Sequence, residues 1–433
     1  MTAINGPAEH YRDTIDWLFG LQFVGIKLGL ERMRAMAAGW GNPQRAYEVV
    51  HVAGTNGKGS TSSFIAAGLQ AAGYRVGLYT SPHLVDFRER VRVNGVMIGQ
   101  DDVLRMAASL RPEVEARNAT FFEATTLMAF RHFAEQGVDI AVVETGLGGR
   151  LDATNIVRPA CSVITPLSLD HTEFLGPTLA GIAWEKAGII KSGRPVLSAA
   201  QDEQAMRVLR WRAAAEATRL TTVDSRAMHM IEEDATGSLC RLPAFDEAVR
   251  IGMPGRHQLG NAALAAETLR CLRAQGWGKV DEAAMRAGLQ DVRHFTGLMG
   301  RLQRLREHPE LFIDVGHNVQ GLAVLFETWR RLRRPERTHV LFGVQRTKDV
   351  STMLREIAAQ GFASVTLVQA RAHEAYAVDD LLRVATVVGI DAHTAPSVVE
   401  GVRDTVGRAG TDTVLVFGSH YVVGEFLRDA EYV

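Results

Sequence analysis

Along the chain, short apolar runs rich in Val and Ile, several of them apolar on both parities, alternate with longer stretches that are apolar on one helical face only. Residues 48–53, 75–79, 138–144, 161–165 and 195–199 are of the first kind, as are 311–315, 338–343, 364–368 and 413–417. Runs apolar on both parities are expected of strands covered on both faces. Between them, residues 60–72, 125–136, 260–274 and 350–360 carry helical spacing. That rhythm predicts an α/β fold with mainly parallel sheets.

A chain of 433 residues is long for one core, so two domains are expected. Residues 291–301 contain Gly297 and Gly300 and close a helical run, after which the βα rhythm restarts in a piece of Rossmann-like size. The division is therefore set near residue 295, giving units of 1–295 and 296–433. The formal net charge of -1 provides no global field for nucleic acid or an anionic membrane. The clustered Arg330, Arg331, Arg333, Arg334 and Arg337 read as the solvated end of a helix stopped by Pro335. Cys161, Cys240 and Cys271 form no metal-type spacing, and a sparse, odd set suits a reducing compartment. The opening residues lack the apolar core of a signal peptide, and no run is long enough to span a membrane, so the expected location is the cytoplasm.

The densest chemistry lies after the first strand, in Gly54-Thr55-Asn56-Gly57-Lys58-Gly59-Ser60-Thr61. Glycines let backbone N–H groups close around phosphate oxygens, and the helix that follows adds positive potential. Lys58 is placed to reach the outer phosphates, with a hydroxyl of Ser60 or Thr61 for phosphate or metal. Gly59 separates the lysine from the hydroxyls, a departure from the common phosphate-loop spacing. The first unit is thus expected to be a P-loop ATPase-type domain. Glu144 ends a neighbouring apolar run, where an acid can hold the magnesium of Mg-ATP.

The run from His51 to Ser60 resembles the ATP loop of the Mur ligase superfamily, and its glycine after lysine resembles the dihydrofolate synthase/folylpolyglutamate synthase branch. The resemblance extends from about Gly25 to Gly424 as an ordered series of motifs. It implies ATP and two Mg2+ as cofactors, with Ser81 of Thr80-Ser81-Pro82-His83, Glu144 and His171 as metal ligands. It implies that Lys186, in Glu185-Lys186-Ala187-Gly188, is carbamylated and supports the metal site. A need for a monovalent cation stays open.

For the pterin-bearing substrate the resemblance implies Thr120, Phe121, Phe122 and Glu123, then Leu151, Asp152 and Ala153, and Lys27, Leu28, Gly29 and Leu30 near the start. In the second unit it implies that Asn261 contacts adenine, that Arg301 and Asp314 meet the nucleotide, and that His317 helps the incoming amino acid. Three positions depart from the family pattern: Met299 before Gly300-Arg301, Val319 after His317-Asn318, and Thr347 for an acid. The activity implied is a ligase that activates the carboxylate of dihydropteroate or a folyl-(poly)glutamate as an acyl phosphate and joins it to the amine of L-glutamate. Its partners would be those small molecules alone, with neither nucleic acid nor membrane, and the chain a monomer. Two rival readings stand beside it: a ligase acting on a UDP-sugar-linked carboxylate, and an ATP-hydrolysing switch. The Lys58-Gly59-Ser60 and Ser81-Pro82-His83-Leu84 forms and the Thr120–Glu123 segment argue against the first, and the double-metal pattern of Ser81, Glu144 and His171 with Lys186 against the second.

Overall fold

A computed structural model describes residues 7–25, 27, 29–372 and 374–429. Every both-parity apolar run becomes a strand whose ends lie within two residues of those expected. In the first sheet the strand order is Val96–Met97, Val91–Val93, Val76–Tyr79, Ile140–Glu144, Glu48–Ala53, Cys161–Ile164, Val196–Ala199, Leu220–Val223. Its pairs are parallel except for the two at the edge formed by Val91–Val93 and Val96–Met97. The second sheet runs Gln303–Glu307, Glu310–Ile313, Thr413–Phe417, Thr338–Phe342, Ser364–Leu367, Ala392–Thr394, with only the first pair antiparallel. A third, three-stranded antiparallel sheet (His229–Asp234, Gly237–Arg241, Val249–Ile251) was not anticipated. Its first strand is mostly exposed and polar, so it lacks the apolar signature that reveals the others.

The helix Lys58–Ala71 is buried along most of its length, which its unbroken Phe64-Ile65-Ala66-Ala67 run requires. Burying a side chain the size of Phe64 is worth about 2–3 kcal/mol. Small residues let its neighbours approach. A Cβ on Gly288 would lie 2.4 Å from the Gly68 backbone nitrogen, and one on Gly68 would lie 2.4 Å from Leu269. Any larger residue at Gly288 must push the helix Glu282–Gln290 away.

The helix Val292–Thr296 still packs on this first unit, whereas Gln303 already pairs in the second sheet. The chain therefore crosses between Gly297 and Leu302. The second unit has its own core around Trp329, whose indole N–H donates to Thr338 Oγ1 at 3.1 Å. Several links join the units, among them the Arg331–Glu233 pair. Asn56 Nδ2 donates to Gln320 Oε1 at 2.7 Å, and Lys348 lies 3.4 Å from Asp170. Leu84 packs into the second unit's core, its carbonyl oxygen 2.0 Å from where a Cβ on Gly424 would sit. The basic run 330–337 is largely spent within the protein: Arg331 pairs with Glu233 and Glu327, Arg333 with Glu310, and Arg337 with Asp412. No helix among the described residues is long and apolar enough to cross a membrane.

Candidate active site

The parallel register puts the chemistry at one end of the first sheet. Val52 lies opposite Glu144, and Tyr79 opposite Val143, so three strands deliver the loop 54–57, Glu144 and Ser81 side by side. This is the carboxyl end of the strands, where open α/β sheets bind ligands. The loop's glycines are dictated by crowding. A Cβ on Gly54 would lie 1.8 Å from Thr165 Oγ1, and one on Gly57 (φ 82°) 2.3 Å from Asn261 Oδ1. The first turn of the helix Lys58–Ala71 leaves N–H groups free for an anion.

Glu144 is 3 % exposed; its Oε2 accepts the Ser81 N–H at 3.2 Å, and its Oε1 lies 4.0 Å from Lys58 Nζ. Burial raises the carboxyl above the ordinary range, while Lys58 and the Ser81 N–H oppose that rise. Lys186 stands on the helix Leu179–Ala187, 4 % exposed, and donates from Nζ to the Gly54 carbonyl at 2.7 Å. Burial first, and the charge of Lys58 second, bring its pKa down from 10.5 to about 7. An amine in this state is partly neutral and nucleophilic at neutral pH. His171 has a left-handed backbone (φ 50°) and an exposed ring near Asp170 and Glu173.

The second unit supplies the opposite wall. Arg301 approaches Gly59, where a Cβ would lie 3.5 Å from its Nη2. Asp314 accepts N–H groups from Gly316 at 2.7 Å and Leu302 at 2.8 Å, fixing the turn that carries Arg301. His317 Nδ1 donates to the Val315 carbonyl at 2.9 Å, and burial lowers its pKa to about 4. Its Nε2 therefore carries a free lone pair at neutral pH. His420 lies beside it, the ring centroids 5.2 Å apart and the planes tilted by 54°.

These groups line one cleft of about 910 Å3: the loop 54–60, Ser81, Glu144, His171, Lys186, Asn261, Arg301, Asp314 and His317. Asn261 reaches it against Gly57 and receives no base-binding partner from the protein beyond Gln258 at 2.9 Å. Thr61 lies behind the wall, its hydroxyl buried without a hydrogen-bond partner, as are those of Thr145 and Thr165. His420, at the carboxyl end of the strand Thr413–Phe417, also lines the cleft and was missed; the polar Gly418-Ser419-His420 after a buried strand was the available signal.

The residues assigned to the pterin substrate do not line this cleft. Thr120 and Glu123 form a capping box at the start of the helix Phe121–Glu135, and Glu123 also pairs with Arg32 at 3.2 Å. Phe121 is 7 % exposed, its ring packed by Phe19 at 5.6 Å, Phe87 at 6.3 Å and the Arg90 guanidinium at 5.1 Å. It has no free face for a heterocycle. Phe122 is half-buried, against the position a Cβ on Gly146 would take. Asp152 is buried and holds the glycine-rich turn by accepting from Gly146 and Leu147, both at 2.9 Å. Leu151 and Ala153 flank it, Ala153 buried. Lys27 donates to the Asn118 carbonyl at 3.1 Å, Gly29 is half-buried and Leu30 is core; Leu28 lies outside the described residues.

No cluster of three or more His, Cys, Asp or Glu among the described residues could hold a metal by itself. The oxygens present fit magnesium only when phosphate oxygens complete the shell, since this ion favours six oxygen ligands including phosphate and water. Glu144 and Ser81, side by side next to Lys58, suit such a shared site.

Residues 52–269 match the Mur ligase middle domain and residues 300–420 the Mur ligase glutamate ligase domain. With a phosphate loop facing a second α/β unit across the cleft, the class is an ATP-dependent ligase of the Mur type. The dihydrofolate synthase/folylpolyglutamate synthase of Bacillus subtilis (strain 168) is 36% identical over 365 residues, spanning 80% of this chain and 82% of that one. The enzyme of that description from Escherichia coli (strain K12) is 35% identical over 348 residues, 78% of this chain and 77% of its own. The structure of Mycobacterium tuberculosis folylpolyglutamate synthase complexed with ADP and AMPPCP superposes with a TM-score of 0.86 and 29% identity, covering 97% of this chain and 98% of that one. The chain belongs to the dihydrofolate synthase/folylpolyglutamate synthase branch of the Mur ligase family.

Proposed function

We propose that the protein uses ATP to join the carboxylate of dihydropteroate, a folyl-(poly)glutamate or both to the amine of L-glutamate. The observation that supports this reading is the single cleft shared by Lys58, Glu144 and Lys186 on one side and Arg301, Asp314 and His317 on the other.

A substrate carboxylate oxygen attacks the γ-phosphorus of ATP, and ADP leaves with the bridging oxygen. The resulting acyl phosphate presents a carbonyl carbon that the amine attacks, forming the amide and releasing phosphate. Lys58 and Arg301 lie where charge gathers on the transferring group, so their task is electrostatic and positional. Magnesium ions would be held by Ser81 and Glu144, and beside His171, and would neutralise phosphate charge there. Neutral His317 can take the proton that the attacking ammonium must lose, because its Nδ1 is committed to a carbonyl and its Nε2 is free.

Lys186 supports the metal region as a carbamate. Its neutral amine attacks CO2, a C–N bond forms and one proton is released, leaving a carboxylate in place of a cation. The Thr120–Glu123 and Leu151–Ala153 segments act by shaping the walls near the pterin, since their polar groups are engaged within the protein. The protein works as a cytoplasmic monomer with its domain division near residues 297–302. The test is ADP release and product mass with ATP, glutamate and each pterin carboxylate in turn. ADP formed equally without any pterin substrate would refute the ligase reading in favour of an ATP-driven switch.

A further inference from the structure

Arg90 ends the 3-10 turn Phe87–Arg90 and is only 7 % exposed. Its Nε donates to His83 Nδ1 at 2.8 Å, and its guanidinium carbon lies 5.1 Å from the centre of the Phe121 ring. Among the described residues no carboxylate lies within ion-pair distance, and none accepts a hydrogen bond from its two terminal amino groups. A buried guanidinium without an acid is costly and uncommon.

The nearby acids are all spent elsewhere. Glu89 accepts the N–H groups of Leu84, Val85 and Asp86 at 2.8–2.9 Å, Asp86 pairs with Arg88 at 2.6 Å, and Glu144 serves Ser81 and Lys58. Around Arg90 stand the His83 imidazole on its own segment, the phenols of Tyr79 and Tyr421, the Glu144 carboxylate beyond ion-pair distance, and His420 across the seam. His83 must be the acceptor of the Arg90 N–H, so it is neutral, as burial beside that cation requires. The result is a guanidinium at the junction of the two units that pairs with no described carboxylate and is distinct from the Lys58–Arg301 pair that serves phosphate.

We infer that Arg90 is a carboxylate-binding residue for the amine-bearing substrate. This inference rests on the ligase reading. The carboxylate being activated must lie at the phosphate loop, but an acidic amino acid brings two more, each needing a cation near the attacking nitrogen. The planar guanidinium fork, with both terminal amino groups free, matches a carboxylate in bidentate fashion. His83 orients that fork by holding Nε, and Phe121 supports its face. The glutamate side of the reaction thus gains a group from the first unit, whereas motif reading assigned it to the second unit alone.

The test uses the full-length protein with ATP, Mg2+ and a pterin carboxylate, varying the amine substrate among L-glutamate, its α-amide and L-glutamine. Arg90→Gln should raise KM for glutamate roughly ten- to a hundred-fold, with KM for ATP and pterin within about twofold. It should also erase the wild-type preference over one amide only: over the α-amide if the α-carboxylate is held, over glutamine if the side-chain carboxylate is held. Arg90→Lys, which keeps charge in the core but loses the fork, should show the same selectivity change in smaller measure. It serves as the readout if Arg90→Gln does not fold. Undiminished discrimination against both amides in the folded variants overturns the inference while leaving the ligase reading intact. Wild-type protein that makes no amide at all overturns the ligase reading first.

Discussion

Replacing Lys186 by methionine should move stability and activity in opposite directions. The amine is lowered from 10.5 to about 7, so its charged form is disfavoured by burial. The distance between 10.5 and about 7 corresponds to about 5 kcal/mol between the two protonation states. The unfolded chain holds this proton up to pH 10.5, and the folded chain only to about 7. Protonation therefore favours unfolding, and the whole penalty acts below pH 7, shrinks through pH 7–10.5 and vanishes above. Methionine of similar length removes the penalty and loses the hydrogen bond to the Gly54 carbonyl, worth about 1 kcal/mol. The net expectation is that Lys186→Met is more stable by roughly 3 kcal/mol near pH 7, and that the advantage disappears by about pH 10. Ligation should be abolished, because no carbamate can form. The assay is thermal unfolding of both proteins in CO2-free buffer from pH 6.5 to 10, beside ADP release. A Tm difference that does not change with pH, or a variant less stable at pH 7, would refute the burial argument.

Lys58→Ala should leave the Tm nearly unchanged yet lower kcat/KM by far more than tenfold, about 1.4 kcal/mol; a smaller loss means Lys58 is not at the transferring phosphate. Gly57→Ala sets a Cβ 2.3 Å from Asn261 Oδ1 at φ 82°, so ATP protection in thermal shift should be lost; retained protection would show that the loop can yield. His317→Ala should raise KM for glutamate more than that for ATP or pterin while slow phosphate release persists without glutamate. A rise confined to ATP contradicts its role beside the amine. Because His317 sits at about 4, it should contribute no acid limb to the rate between pH 5 and 8, and one that disappears in His317→Ala would contradict its neutral state.

What was legible in the chain was whatever burial forces into one-dimensional pattern. Strands such as Thr413–Phe417 are covered on both faces, and the loop 54–61 is fixed by backbone crowding that only glycine tolerates. The three-stranded sheet around His229–Asp234 was hidden because its first strand is mostly exposed and carries no continuous apolar run. The pterin segment carries two readings at once. Thr120-Phe121-Phe122-Glu123 reads as chemistry, yet the same spacing builds a helix cap, and the cap takes both polar side chains. Arg90 was invisible, since only the fold reveals that its neighbouring acids are already engaged.

The contact between Leu84 and Gly424 has a consequence for the newborn chain. The two residues are about 340 positions apart, so at ribosomal speeds of roughly 5–20 residues per second the seat for Leu84 arrives some twenty seconds to a minute after it. Until Gly424 is made, the first unit carries an unroofed apolar shoulder at Leu84. Truncated or stalled chains keep that shoulder bare for good, and it is there that holdase chaperones should grip them.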